Sequence, residues 1–236
     1  MTNSARSDAR DDGMLDAIES PSRIKATVIE PGEEPRLHGY AVESDLAHNY
    51  KSSEILYLAL SGELPATPDI SAAFEVTLVF LSCVGANEGP THAALLARLC
   101  NAPSRALLEV AAVGLAERAH FVVEGLGALL QWLSAAEGPP PQQYCTADPG
   151  AERTVARLRA RLPSSFAVPA LAHPLSRPAA IAAVLHACGL RRPDQLEAVW
   201  TLAAIGPTFA EGLAAKPFGI REYPMNLPAF RYEVAP

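Results

Sequence analysis

The chain has 236 residues, 49% of them hydrophobic and 19% charged, with a net charge of −7. That is enough apolar material for one sizeable core, and it argues against disorder as the main state. An acidic balance without a basic stripe argues against nucleic acid as a partner, and the longest apolar runs fall short of the ~18 residues that span a membrane. Cys83, Cys100, Cys145 and Cys188 are scattered with no CxxC pair, which argues against a zinc site or a disulfide framework and fits a cytoplasmic protein.

Residues 1–20 are polar and charged, lack an apolar signal core, and read as a disordered tail. Short extended pieces are expected in 23–40, where "IKATVIEP" alternates and "PRLHGY" follows turn residues. Helices are then expected nearly everywhere. "SSEILYLALSGELP" has Ser52 and Ser53 as candidate N-caps, with Gly62 and Pro65 as stop signals. "DISAAFEVTLVFLSCVG" is apolar almost all round and is expected to be a buried central helix. "GPTHAALLARLC" and "PSRALLEVAAVGLAERAHFVVEGLGALLQWLSAA" follow, with Gly125-Leu126-Gly127 read as a packing point inside a helix.

The proline-rich stretch 138–143 is the clearest break. "TADPGAER" is a helix entry leading into an amphipathic basic helix. "PAAIAAVLHACGL" and "RPDQLEAVWTLAAIGPTFAEGLAAK" give two more helices, and "IREYPMNLPAFRYEVAP" an extended tail. No repeat, heptad seam or βαβ alternation occurs, so the fold class is all-α. The proline breaks divide it into a large helical domain, 21–130 with 176–236, and a reduced small domain, 131–175.

Common chemical signatures are missing. There is no G-x-x-x-x-G-K-[ST], no G-x-G-x-x-G, no G-x-S-x-G and no HExxH among the six histidines.

The order of segments is more informative. "HGYAVESDLAHNYKSSEILYLALSGELP", with His38-Gly39-Tyr40 and Tyr57 to Pro65, resembles the opening of the citrate synthase and citryl-CoA lyase family, where an "RGY" turn leads to "YLLLxGELP". "GPTHAALLARLC" resembles that family's helix with an Ala-Arg pair, here Ala97-Arg98. "AVGLAERAHFVVEGLGALLQWL" resembles the segment around "HGGAxE", and "CTADPGAER" the "GHxVxxxDPRAxxL" loop. "PAAIAAVLHACGL" with the helix after it resembles "NVDGAIAAVLxxLG" and "ARxPGLxAHxLE", and "FRYEVAP" the closing "RPxxxYxGP". The resemblance runs in order over about residues 35–236 and points to a short, divergent citryl-CoA lyase-like member.

It implies a citrate synthase-like helical dimer with its site between two domains. It also implies chemistry at a carbon–carbon bond next to a CoA thioester: a carboxylate removes a proton, one histidine hydrogen-bonds the enolate oxygen, and a second polarises a carbonyl. Carried over by position, the first histidine falls at His120, with Phe121 and Val122 where glycines stand. The second falls at Gln142, which cannot shuttle a proton. The aspartate falls at Pro178, and the arginine expected on CoA phosphate is Gly150. Alone, His120 reads as a helical histidine paired with Glu124 four residues on. His173 is a weak substitute base. Arg98 and Arg231 are candidates for binding an anionic substrate, and Asn87 and Glu88, in the turn where the family has a histidine, are further substrate-binding candidates.

Three readings stay open. The chain is a non-catalytic or regulatory subunit, as a homodimer or paired with an active paralogue. Or it is an enzyme of altered chemistry on an acyl-CoA or carboxylic acid, using Glu88, His92, His120, His173 or Arg98. Or it has an ordinary lyase or synthase site built from His120 and His173. No cofactor is expected; a CoA thioester is the candidate substrate.

Overall fold

The computed structural model describes residues 26–135 and 138–217. The expected N-terminal tail, the extended C-terminal segment and Arg231 lie outside them.

The described chain opens with three two-residue strands, β1 (Ile29–Glu30), β2 (Arg36–Leu37) and β3 (Tyr40–Ala41), paired antiparallel in that order. His38 and Gly39 link β2 to β3 with φ of 48° and 83°. Positive φ at both central residues is what a tight two-residue hairpin with native strand twist requires. The expected extended pieces are therefore a small sheet.

A helical turn at Val42–Leu46 runs into α1 (Ala47–Asn49). The helices that follow are α2 (Ser52–Ser61), α3 (Pro68–Ser82), α4 (Gly89–Leu99), α5 (Ser104–Glu124), α6 (Gly127–Ala135), α7 (Pro149–Arg161), α8 (Arg177–Ala187) and α9 (Pro193–Ala214), with 3-10 turns at Gln142–Tyr144 and Pro169–Ala172. The all-α expectation holds among the described residues, the small sheet aside.

Local chemistry explains most boundaries. At α2 the serines are not the caps: Ser52 and Ser53 lie in the first turn, and Lys51 N–H donates to Glu54 Oε2 at 2.8 Å. The carboxylate reaches back to the open amide of Lys51, the residue just ahead of the helix. Gly62 closes α2 with φ 87°, the left-handed value that glycine adopts freely. The expected helix entry is the start of α7, where Asp148 caps, accepting from Gly150 N at 3.1 Å and Ala151 N at 2.9 Å. These bonds hold the Asp148 carboxyl below its ordinary pKa.

Two expectations are corrected. The stretch 125–127 is not the interior of one helix but the break between α5 and α6. Glycines there remove helix propensity where the chain changes direction. The central helix is α8, not α3: Ala179 to Leu185 are seven consecutive buried residues, whereas α3 leaves Val79 66% exposed. Alanine's small side chain lets neighbours close on every face of α8, and it loses no rotamer freedom on burial. Larger apolar residues on α3 cannot all be covered at once.

Helices α4, α5 and α9 pack on one another. The α5 contact stripe is Leu107, Ala111, Leu115, Ala119 and Val123, one residue per turn. Small residues set the spacing. A Cβ on Gly114 would come within 3.2 Å of Pro90 Cα, and one on Gly212 within 3.0 Å of Leu107 Cδ2. Helix α7 packs on α3 and α8, and its Val155 and Leu158 share one core with Tyr57, Phe74 and the α8 alanines. Tyr57 Oη donates to Cys188 O at 2.6 Å across that core. Burial pushes the Cys188 thiol up to about 12. No helix among the described residues is long and apolar enough to cross a membrane.

Candidate functional site

The three segments carrying the family positions converge at the N-terminal end of α8. The loop after the prolines is sewn to the segment before α8: Thr146 N donates to Pro174 O at 2.8 Å, Ser176 N to Tyr144 O at 2.7 Å, and Cys145 bridges Leu175. Buried Tyr144 also reaches back to α5, its hydroxyl donating to Gly125 O at 3.0 Å. Loop, α8 entry and α5 C-terminus are thus tied at one corner.

A cavity of about 60 Å³ lies at that corner, lined in part by Cys83, Arg118, Val122, Arg177, Pro178 and Trp200. At ~30 Å³ per water it has the size of two waters. Its two cations are already engaged. Arg118 Nη2 sits 2.7 Å and Nε 2.8 Å from Glu88 Oε2, and Arg177 Nη2 donates to Phe80 O at 2.6 Å. Glu88 is held from its own turn as well, since Gly85 N donates to Oε1 at 3.2 Å. Among the described residues, no carboxylate or imidazole lines the space.

The side chains expected to do chemistry do not share this cavity. His120, 62% exposed in its side chain, points to α9, with Nδ1 3.0 Å from Glu197 Oε1. The hydrogen bond to Glu197 and that carboxylate's charge raise the His120 pKa, and Glu124 and Glu117 add to the rise. The expected pairing with Glu124 is thus replaced by one to the next helix, because the two helices pack side by side. Gln142 is exposed at the start of its 3-10 turn. Pro178 sits in the first turn of α8, where proline's missing N–H costs nothing.

His173 lies on the far side of the loop, its ring edge-on to Trp132 with centroids 6.0 Å apart. It shares no cavity with His120 among the described residues. Arg98 Nε donates to Ala215 O at 3.2 Å, tying off the end of α9. Asn87 and His92 are exposed.

Sequence reasoning missed Arg118 and Cys83 as members of this corner, and Glu197 as the partner of His120. Glu88 and Arg118 lie 30 residues apart, and His120 and Glu197 lie 77 apart. No local pattern links either pair. Among the described residues, no group of three or more His, Cys, Asp or Glu side chains is placed to hold a metal ion.

Helix order, the α8 core and the converging loops define a citrate synthase-like helical fold. The citryl-CoA lyase of Hydrogenobacter thermophilus superposes with a TM-score of 0.58 at 19% identity, over 90% of this chain and 97% of that one. The ATP citrate lyase of Methanothrix soehngenii, in complex with citrate and coenzyme A, gives 0.57 at 12% identity, over 91% of this chain and 43% of that one. A Methanosaeta concilii ATP citrate lyase in complex with (3S)-citryl-CoA gives the same values. No family model and no curated protein matches the sequence. The likeness is one of fold: this chain spans nearly the whole of the Hydrogenobacter lyase and under half of each ATP citrate lyase.

Proposed function

We propose that this chain is a citryl-CoA lyase-like protein without the ordinary acid–base set, acting as a non-catalytic or regulatory subunit. The observation that carries the reading is the corner at Pro178, whose cavity has no carboxylate or imidazole among the described residues and whose two arginines are held by the protein itself. Proton removal next to a thioester needs a base in contact with the carbon acid, and each missing acid–base group costs about 10²–10⁴ in rate. Proline and glutamine at two of the three family positions supply none.

Pairing with a second copy or an active paralogue is part of the same reading. Leu96 on α4, Leu108 and Val113 on α5, and Leu202 and Leu213 on α9 are exposed on the helices that make the tightest layer. Joined into one exposed apolar surface, they would favour a protein partner.

The test is mass spectrometry of citryl-CoA incubated with the purified protein. The expected result is no acetyl-CoA or oxaloacetate above the buffer control. Release of both would overturn the reading. Sedimentation should give a dimer, either alone or with the paralogue, that Val113→Asp weakens. A monomer under all conditions would remove the subunit role.

A second reading, turnover of another CoA thioester by a rebuilt site, draws on Cys83 lying with Arg118 and Arg177 at one cavity. Turnover within an acyl-CoA panel that disappears in Cys83→Ala would favour it.

A further inference from the structure

A groove runs along one side of α7, between that helix and the segment 162–175. One arm, of about 410 Å³, lies at the C-terminal end of α7 and is lined in part by Leu162, Phe166, Val168 and Leu171, with Arg159 and Ser164. The other, of about 260 Å³, continues towards Glu152, Val155 and Leu175. Arg159 and Ala172 border both arms. Neither arm shares a described lining residue with the Pro178 corner.

The sequence builds both walls. In α7, Val155 and Leu158 are buried in the core, which leaves the next residue, Arg159, exposed at the groove. Pro163 ends the helix by holding Leu162 extended, with φ −69° and ψ 149°. The chain then turns tightly, Phe166 N donating to Pro163 O at 3.0 Å, and Ser165 Oγ donates to Asp69 Oδ2, which pins the turn to α3. The opposite wall is the 3-10 turn Pro169–Ala172, held by buried Ala170 and Leu171 and closed by Leu171 N donating to Val168 O at 3.0 Å. The groove is therefore preformed by the chain's own contacts.

Arg159 is the feature that calls for a ligand. It makes no hydrogen bond or ion pair among the described residues, and neither does the Ser164 hydroxyl in the same arm. A guanidinium offers N–H donors in a planar fork that matches a carboxylate. Sites for small molecules are commonly ~300–1,000 Å³, mostly apolar, with a few placed polar groups, and the larger arm has that size and that lining. A cavity of ~150 Å³ accepts benzene, so this arm has room for a chain of about eight carbons. Glu152 stands seven residues before Arg159 on α7, about 10 Å along the axis at ~1.5 Å per residue. Its charge opposes an anion in its own arm, so a carboxylate at Arg159 directs its apolar body into the larger one.

We propose that this groove binds a small apolar monocarboxylate of medium chain length, its carboxylate on Arg159 and its chain along Leu162, Phe166 and Leu171. The site is separate from the Pro178 corner and goes beyond the subunit reading.

The experiment is isothermal titration of the full chain with octanoate, and with acetate and octylammonium as the analogues that lack the chain or reverse the charge. The expected result is one-to-one binding of octanoate with Kd below about 1 mM, at least tenfold weaker for both analogues. Arg159→Gln is expected to weaken octanoate at least tenfold. Arg157→Gln removes an arginine of the same helix that does not line the groove, and is expected to change binding less than twofold. Ala172→Trp fills the junction of the two arms from an exposed position and is expected to weaken octanoate at least tenfold. Thermal melts confirm that each variant is folded. Absence of saturable octanoate binding, equal binding of octylammonium, unchanged binding in Arg159→Gln or Ala172→Trp, or an equal loss in Arg157→Gln would overturn the proposal.

Discussion

The interior around α8 and the corner at its N-terminus lie a few residues apart and obey different rules. From Ala179 to Leu185 every side chain is buried, and helices close in on all sides. At Pro178 the polar groups point at one another: Arg118 at Glu88, Arg177 at a backbone carbonyl, His120 away to Glu197. In the interior, shape does the work, and each methyl group matters. At the corner, the described polar groups are spent on internal contacts.

Four substitutions would break or sharpen that contrast. The largest effect is expected from Leu185→Ala, which empties a fully buried position of α8 and should cost about 2–5 kcal/mol in urea unfolding. A loss below 1 kcal/mol would mean that the α8 interior is loosely packed. Next comes Ala94→Leu on α4. A Cβ on Gly212 would lie 3.5 Å from Ala94 Cβ, so the added carbons meet α9, and a loss of about 1–3 kcal/mol is expected from overpacking.

Pro178→Asp, which places a carboxylate at the corner, should change stability by no more than about 0.5 kcal/mol, as exposed positions usually do. It should leave citryl-CoA untouched, because His120 remains tied to Glu197 and Gln142 remains a glutamine. Cleavage by this single variant would show that only the carboxylate was lacking.

The smallest effect concerns pH. The folded pKa of His120 is raised by Glu197. The stabilisation from this pair is therefore complete below the ordinary histidine value of about 6.5 and is lost as pH rises through the folded value. Melting temperatures followed from pH 5 to 9 should show a shallow decline over that window, absent in Glu197→Gln. An identical decline in the variant would assign it to another group.

Much of this was legible along the chain. Asp148 ahead of Pro149 marks a helix start because its carboxylate lies within reach of two open amides. Gly62 marks a helix end because a left-handed φ suits glycine. The order of segments indicated the fold. The α2 cap was misread because a serine ahead of an apolar run can cap the helix or lie within its first turn, and only local geometry decides between the two. The exchange of α3 for α8 as the central helix has a similar origin: hydrophobicity says that a helix wants burial, while neighbours decide how many of its faces receive it.

By itself, the sequence determined the helical segments, their order and the absence of a carboxylate at Pro178, because caps, periodicity and side-chain chemistry are local properties. Only the tertiary structure decided that His120 meets Glu197 rather than Glu124, that Arg118 is claimed by Glu88, and that Arg159 and Leu171 line one groove. Those groups are brought together by helix packing, and chain distance carries no record of it.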